Sequence, residues 1–254
     1  MSGILGAVSL LTRVPVGTLP DRESLARAVP WFPLVGTAIG LVVAGVFVAF
    51  GQVLHSPIAA VLAVLAGAML TGAFHEDGLG DVADAFAGGW TIERRLEILD
   101  DPRLGTFGVI AISGTLLLRV AAISTLDTWS AVALLPAAHA MSRAAAITLM
   151  RRVPLAGHDG LGASYASSLT GGGEVVALAF GGGVALALIG LWALGAAALC
   201  LLAAVSMGAW SRARIDGITG DVLGATQQVA ELAILLMGAA VVHESWERLA
   251  WWAP

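Results

Sequence analysis

Residues 175–210 read VVALAFGGGVALALIGLWALGAAALCLLAAVSMGAW, without a single Asp, Glu, Lys, Arg or His. A helix crossing the hydrocarbon core of a bilayer needs about 20 mostly apolar residues. The run is too long for one crossing and suits two. A tight hairpin is therefore expected near Gly190 to Gly195, between spans at 174–191 and 193–210.

Five further apolar stretches lie outside this pair, at 31–54, 57–74, 107–127, 130–150 and 222–242. The chain is therefore expected to be an all-α, polytopic membrane bundle. It has about seven transmembrane helices, with six to eight compatible with the uncharged run, in a single membrane-embedded domain over 1–254. Met1 to Leu11 is apolar but short, with neither a basic leader nor a small-residue cleavage site. An interfacial or re-entrant helix is expected there, not a cleaved signal peptide.

Composition agrees. Of 254 residues, 58% are apolar and 12% are charged, against about 25% charged in soluble domains. So few charges cannot cover a soluble globule, which excludes a soluble enzyme, a disordered chain and a disulfide-built module. Cys200 is the single cysteine, so neither an intramolecular disulfide nor a multi-cysteine zinc site is available. All 13 basic residues are arginines, leaving no lysine for Schiff-base chemistry. The net charge of -5 includes no basic cluster of the kind nucleic acid requires.

Arginine placement sets the expected orientation. With the N-terminus inside, Arg13, Arg22, Arg27, Arg94, Arg95, Arg103, Arg151, Arg152, Arg212 and Arg214 fall on one side. Only Arg248 lies opposite, while Arg119 and Arg143 sit within spans and should face the bundle or snorkel. All long polar loops then face the cytoplasm. Trp129, Trp246, Trp251 and Trp252 would mark the outer interface, and Trp31 and Trp90 the inner one. One-sided loops and the lack of an internal repeat suit an enzyme working at that face better than a transporter.

The second span runs into Phe74-His75-Glu76-Asp77-Gly78-Leu79-Gly80-Asp81-Val82-Ala83-Asp84. Asp77, Asp81 and Asp84, at i, i+4 and i+7, share one helical stripe. Three carboxylates in register repel one another unless cations or protons compensate them. Hard oxygen ligands at an interface suit Mg²⁺ or Mn²⁺ bound through a few carboxylates plus substrate phosphates. Gly78 and Gly80 are expected to let a phosphate approach closely. Thr91 is expected to cap a short amphipathic helix ending before Pro102, with Glu93, Arg94, Arg95 and Glu97 on its wet face. Asp101 and Arg103, astride Pro102 where the chain re-enters the membrane, suit a second carboxylate site and a phosphate-holding arginine.

His75 to Asp84, followed by Asp101-Pro102-Arg103, Gly105 and Gly108, resembles the cobalamin synthase family, the adenosylcobinamide-GDP ribazoletransferases. The likeness extends to Leu11-Thr12-Arg13-Val14-Pro15, Phe32-Pro33-Leu34-Val35-Gly36, Ser142-Arg143, Gly160-Leu161-Gly162 and Gly217 to Gly224. Two positions depart from it. Glu76 stands where an apolar residue is expected, and Asp216 where a glycine is.

The resemblance implies a transferase joining adenosylcobinamide-GDP to α-ribazole or its 5'-phosphate, with release of GMP. Such a step needs charge neutralised on phosphate oxygens and an in-line nucleophile. On this likeness Asp77, Asp81 and Asp84 are metal ligands for Mg²⁺ or Mn²⁺, with Asp101 sharing the site. Asp84 is the favoured acceptor of the hydroxyl proton. Arg103 holds a phosphate beside Gly105. Asp221 and Gly220 join the same face, His75 stands between ligand and interfacial roles, and Arg13 between substrate and lipid phosphate. The likeness further implies a bacterial or archaeal cytoplasmic membrane, membrane lipid around the spans, and room for a homo-oligomer or an assembly with enzymes of the same pathway.

Other readings fit less well. A CDP-alcohol phosphotransferase shares Asp77-Gly78, but Asp81-Val82 replaces its Ala-Arg. A membrane prenyltransferase needs a fuller second aspartate motif than Asp216 to Asp221. A cation or proton transporter would run its pathway through Asp77 to Asp84, against the interfacial placement of those carboxylates.

Overall fold

The computed structural model describes residues 3–16, 27–156, 169–244 and 249–253. The readings placed on Arg22, Gly160 to Gly162, Trp246 and Arg248 lie outside the described residues.

Ten α-helices make up the described chain: α1 (Gly3–Leu11), α2 (Phe32–Gly51), α3 (Ser56–Thr71), α4 (Phe74–Gly88), α5 (Ile92–Leu99), α6 (Thr106–Ser124), α7 (Thr128–Arg152), α8 (Gly171–Ile189), α9 (Trp192–Ile215) and α10 (Gly220–Glu244). Six of them, α2 and α6 to α10, are long and apolar enough to cross a membrane, and α3 with α4 makes a seventh crossing if that bent pair counts as one. The expected helical bundle is therefore present. The hairpin turns at Gly190 at a positive φ of 55°, which glycine adopts without a Cβ clash.

The second span differs from expectation. It ends at Thr71 and does not run on to residue 74, and α4 leaves at 90° to α3. Gly72 (φ 70°) and Ala73 (φ 57°) are consecutive left-handed residues, a pair that no helix can continue through. A Cβ on Gly72 would collide with the Arg13 guanidinium, and the Arg13 amide donates to the Leu70 carbonyl at 2.8 Å. The N-terminal segment thus braces the corner from which the acidic helix departs.

Helix α7 is the axis of the bundle and is almost wholly buried, with α2, α8, α9 and α10 packed around it. Gly36 and Gly40 of α2, one turn apart, lie against the backbone at His139 and Pro136 of α7. Small residues at this spacing let membrane helices approach closely. Helix α4 wedges between the first turns of α10 and α6, and α1 packs beside the start of α2.

The arginine-rich end carries a second tie. Ala156 donates to Ile218 and Ile218 to Pro154, both at 2.9 Å, and the Ser211 hydroxyl donates to the Gly217 carbonyl. At the opposite end, Trp251 and Trp252 donate to the Ala187 and Leu188 carbonyls at 3.1 and 3.0 Å. Trp252 also meets Trp129 edge to face. These amphipathic rings sit together at one end of the bundle, as aromatic belts do.

Candidate active site

Helix α4 presents Asp77, Asp81 and Asp84 on one stripe, with Asp77 exposed and the other two half-buried. Asp221, in the first turn of α10, faces them across the α4–α10 contact. Burial, then the carboxylates of Asp77, Asp221 and Asp84, push the Asp81 carboxyl up to about 7. Among the described residues no cation offsets this shift, and like charges gathered this tightly favour a bound cation or a proton. The Thr219 hydroxyl donates to Asp221 Oδ2 at 3.1 Å, which aims that side chain at the entry of α10.

The glycines of α4 serve packing, which corrects the expectation that they leave room for a phosphate. A Cβ on Gly78 would lie 2.9 Å from both Cα and O of Asp221, and one on Gly80 would lie 2.8 Å from Ile112 Cδ1 and 2.9 Å from Leu104 Cδ1. Each glycine lets a neighbouring helix press onto α4. This close fit brings Asp221 to Asp77 and Asp81.

Asp84 is already engaged. Its two carboxylate oxygens accept the backbone amides of Gly105 at 2.7 Å and Gly108 at 2.9 Å. These are two of the orphan donors at the start of α6, so Asp84 caps that helix from outside. The space beside Gly105, where a phosphate was expected, is filled by the Asp84 carboxylate, which a Cβ there would meet at 2.6 Å. Asp101 forks onto Arg103, accepting from Nε at 2.9 Å and from Nη2 at 2.6 Å. That arginine holds Asp101 down to about 2 and is itself raised by the pairing. Arg103 is exposed. Among the described residues, no three His, Cys, Asp or Glu side chains converge as a metal cage.

Thr91 caps α5 by accepting the Arg94 amide at 3.2 Å, as its spacing predicts, and Arg94 pairs with Glu97 on the exposed face. Arg95 donates to the Arg214 carbonyl at 2.9 Å, tying α5 to the end of α9. Arg13 stands at the α3–α4 corner, and Gly220 and buried His75 line a cavity next to the acidic stripe.

A second polar cluster lies inside the bundle. Arg119 of α6 donates to Glu76 of α4 at 3.0 Å, to Gln228 of α10 at 3.1 Å, and to Glu231 of α10. Glu231 also takes the Gln227 amide at 2.6 Å and lies 3.0 Å from the His139 ring and 3.6 Å from Arg143. Arg119 and Arg143 do face the bundle. Glu231, Gln227, Gln228 and His139 escaped sequence reading because each sits singly or paired inside an otherwise apolar span, and Ser142 was read there only as part of the family likeness. The readable signal is an acid at the middle of a span, spaced four residues from an amide. Glu76, out of place on the acidic stripe, points the other way and supplies the counter-charge of Arg119.

Comparison with known proteins bears on what this arrangement does. Residues 3–239 match the family described as cobalamin-5-phosphate synthase. A relative from Shewanella frigidimarina named adenosylcobinamide-GDP ribazoletransferase is 37% identical over 92% of this chain and 93% of its own. Relatives of the same name from Azorhizobium caulinodans (42% identical, 85% of this chain and 84% of the relative) and Chlorobaculum tepidum (35%, 100% and 99%) agree with it. No solved structure matches the chain. With the match running from α1 into α10, the chain belongs to the cobalamin-5-phosphate synthase family.

Proposed function

We propose that this chain joins adenosylcobinamide-GDP to α-ribazole or α-ribazole 5'-phosphate. The products are adenosylcobalamin or its 5'-phosphate, and GMP. The ribose hydroxyl oxygen bonds to the cobinamide-side phosphorus, the bond from that phosphorus to the bridging oxygen breaks, and GMP leaves with the bonding electrons. The observation that carries the reading is the gathering of Asp77, Asp81 and Asp221, from two helices, at one face of a chain that matches the family from α1 to α10.

Asp77 and Asp81, with Asp221 opposite, would hold Mg²⁺ or Mn²⁺. The residues fit such an ion: they are hard donors with no neutralising cation beside them among the described residues, and too few to cage it alone. Mg²⁺ commonly completes its shell with water and substrate phosphates. When bound, it neutralises charge on the diphosphate. Asp81, half-buried and facing the other carboxylates, is placed to accept the hydroxyl proton. Asp84 holds α6 against α4. Arg103, oriented by Asp101, offers its remaining donors to the diphosphate.

The N-terminus and the acidic stripe face the cytoplasm of a bacterial or archaeal cell, by the one-sided arginines. The test is GMP release by the protein in lipid nanodiscs. Release should require both substrates, stop with chelator and resume with added Mg²⁺. Release without ribazole, or cation flux without turnover, would overturn the reading.

A further inference from the structure

A cavity adjoins the acidic stripe. Its walls come from α1 (Leu10, Leu11), the start of α2 (Phe32), α7 (Arg143, Ala146) and the first turns of α10. The lining is overwhelmingly apolar. Three polar residues interrupt it: His75, two residues before Asp77, Arg143 and Gln227.

Arg143 is 3% exposed, and its donors are unevenly used. Nη1 donates to the His139 carbonyl at 2.8 Å, while Nε has no hydrogen-bond partner among the described residues. A buried N–H left unpaired is costly, so this donor is suited to an acceptor atom on a bound molecule. Gln227, also in the wall, is spent on Glu231, Ser142 and Gln228.

We propose that this cavity receives the flat heterocyclic base of the ribazole acceptor, with a ring nitrogen turned to Arg143. The assignment rests on the reaction proposed above and adds where the acceptor sits. The apolar walls suit the faces of an aromatic bicycle, and a few placed polar groups fix its orientation. A phosphate would be stripped of water here against one arginine that Glu231 already offsets. An acyl chain would leave the Arg143 donor unpaired. Gly220 lines the cavity and Asp221 follows it. A base held here therefore leaves its ribose beside the acidic stripe.

The test fills the cavity. Ala146→Leu adds volume on the α7 wall, and Leu11→Phe does so from α1 should the first variant fold poorly. With the protein in nanodiscs, free benzimidazole should bind saturably to the unaltered chain and about tenfold more weakly to either variant. In turnover, KM for ribazole should rise by a similar factor, with kcat and KM for adenosylcobinamide-GDP unchanged. An unaltered ribazole KM in a folded variant, or equal shifts for both substrates, would overturn the proposal while leaving the reaction standing. Absence of turnover by the unaltered chain would overturn the reaction, and benzimidazole binding would still decide the cavity.

Discussion

Glu76 and Arg119 form an ion pair at 3.0 Å inside the bundle, joining the acidic helix α4 to the spanning helix α6. Glu231 of α10 grips the same guanidinium. Three helices that must converge to assemble the acidic stripe are therefore pinned by one buried arginine.

Removal of that arginine should be severe. Arg119→Met leaves Glu76 and Glu231 buried without their shared partner, and breaking a buried pair from one side costs about 3–5 kcal/mol. Glu76→Gln should cost less, because Glu231 still balances Arg119. Thermal unfolding of the two variants in nanodiscs would show this order. Equal melting temperatures would argue against a shared anchor.

The aspartates of the stripe should separate into two classes. Asp77→Asn and Asp81→Asn remove repelling charge, so each should abolish GMP release and raise the melting temperature. Asp84→Asn instead weakens two charge-assisted bonds to the start of α6, which should lower stability by about 1.5–3 kcal/mol. Glu97→Gln, on the exposed face of α5, should be nearly silent in both measurements. Near-normal turnover in Asp81→Asn would remove the stripe from the chemistry.

Arg103 is held in a fork by Asp101. Lysine has no planar pair of donors to match that geometry. Arg103→Lys should therefore keep the fold and raise KM for adenosylcobinamide-GDP by about tenfold or more, with KM for ribazole little changed. Because Asp101 ionises at about 2, the pair persists at every working pH. Asp101→Asn should not move the acid limb of the pH–rate profile. A displaced limb would mean that Asp101 itself titrates in the reaction.

Asp216 ends α9 in a left-handed conformation, φ 57°. This explains why a glycine is expected at that position. Aspartate tolerates such a φ, but with a Cβ penalty. Asp216→Gly should stabilise the protein by about 1 kcal/mol without changing turnover, as thermal unfolding and initial rates would report. A loss of activity would give the side chain a role beyond its backbone.

Residue 88 ends α4, next to the acidic stripe. A cysteine placed there, in a Cys200→Ser background, should react with impermeant thiol reagent only in inside-out vesicles. Labelling from the outside of intact cells would reverse the orientation.

Hydropathy and residue spacing alone determined the helical bundle, its hairpin at Gly190, the cap at Thr91 and the three-aspartate stripe, because each depends on neighbours within a few turns of the same chain. The stripe's wider context lay beyond them. Gly78 and Gly80 look like openings in the sequence but are packing faces, since only the folded chain reveals which helix presses on each. Asp84 reads as a metal ligand or the proton acceptor until the amides of Gly105 and Gly108 reach it from α6. Glu76 reads as a surplus charge until Arg119, 43 residues on, is seen to need it. In a bilayer interior an ionisable group must find a partner wherever the tertiary structure supplies one, and sequence separation says nothing about which partner that will be.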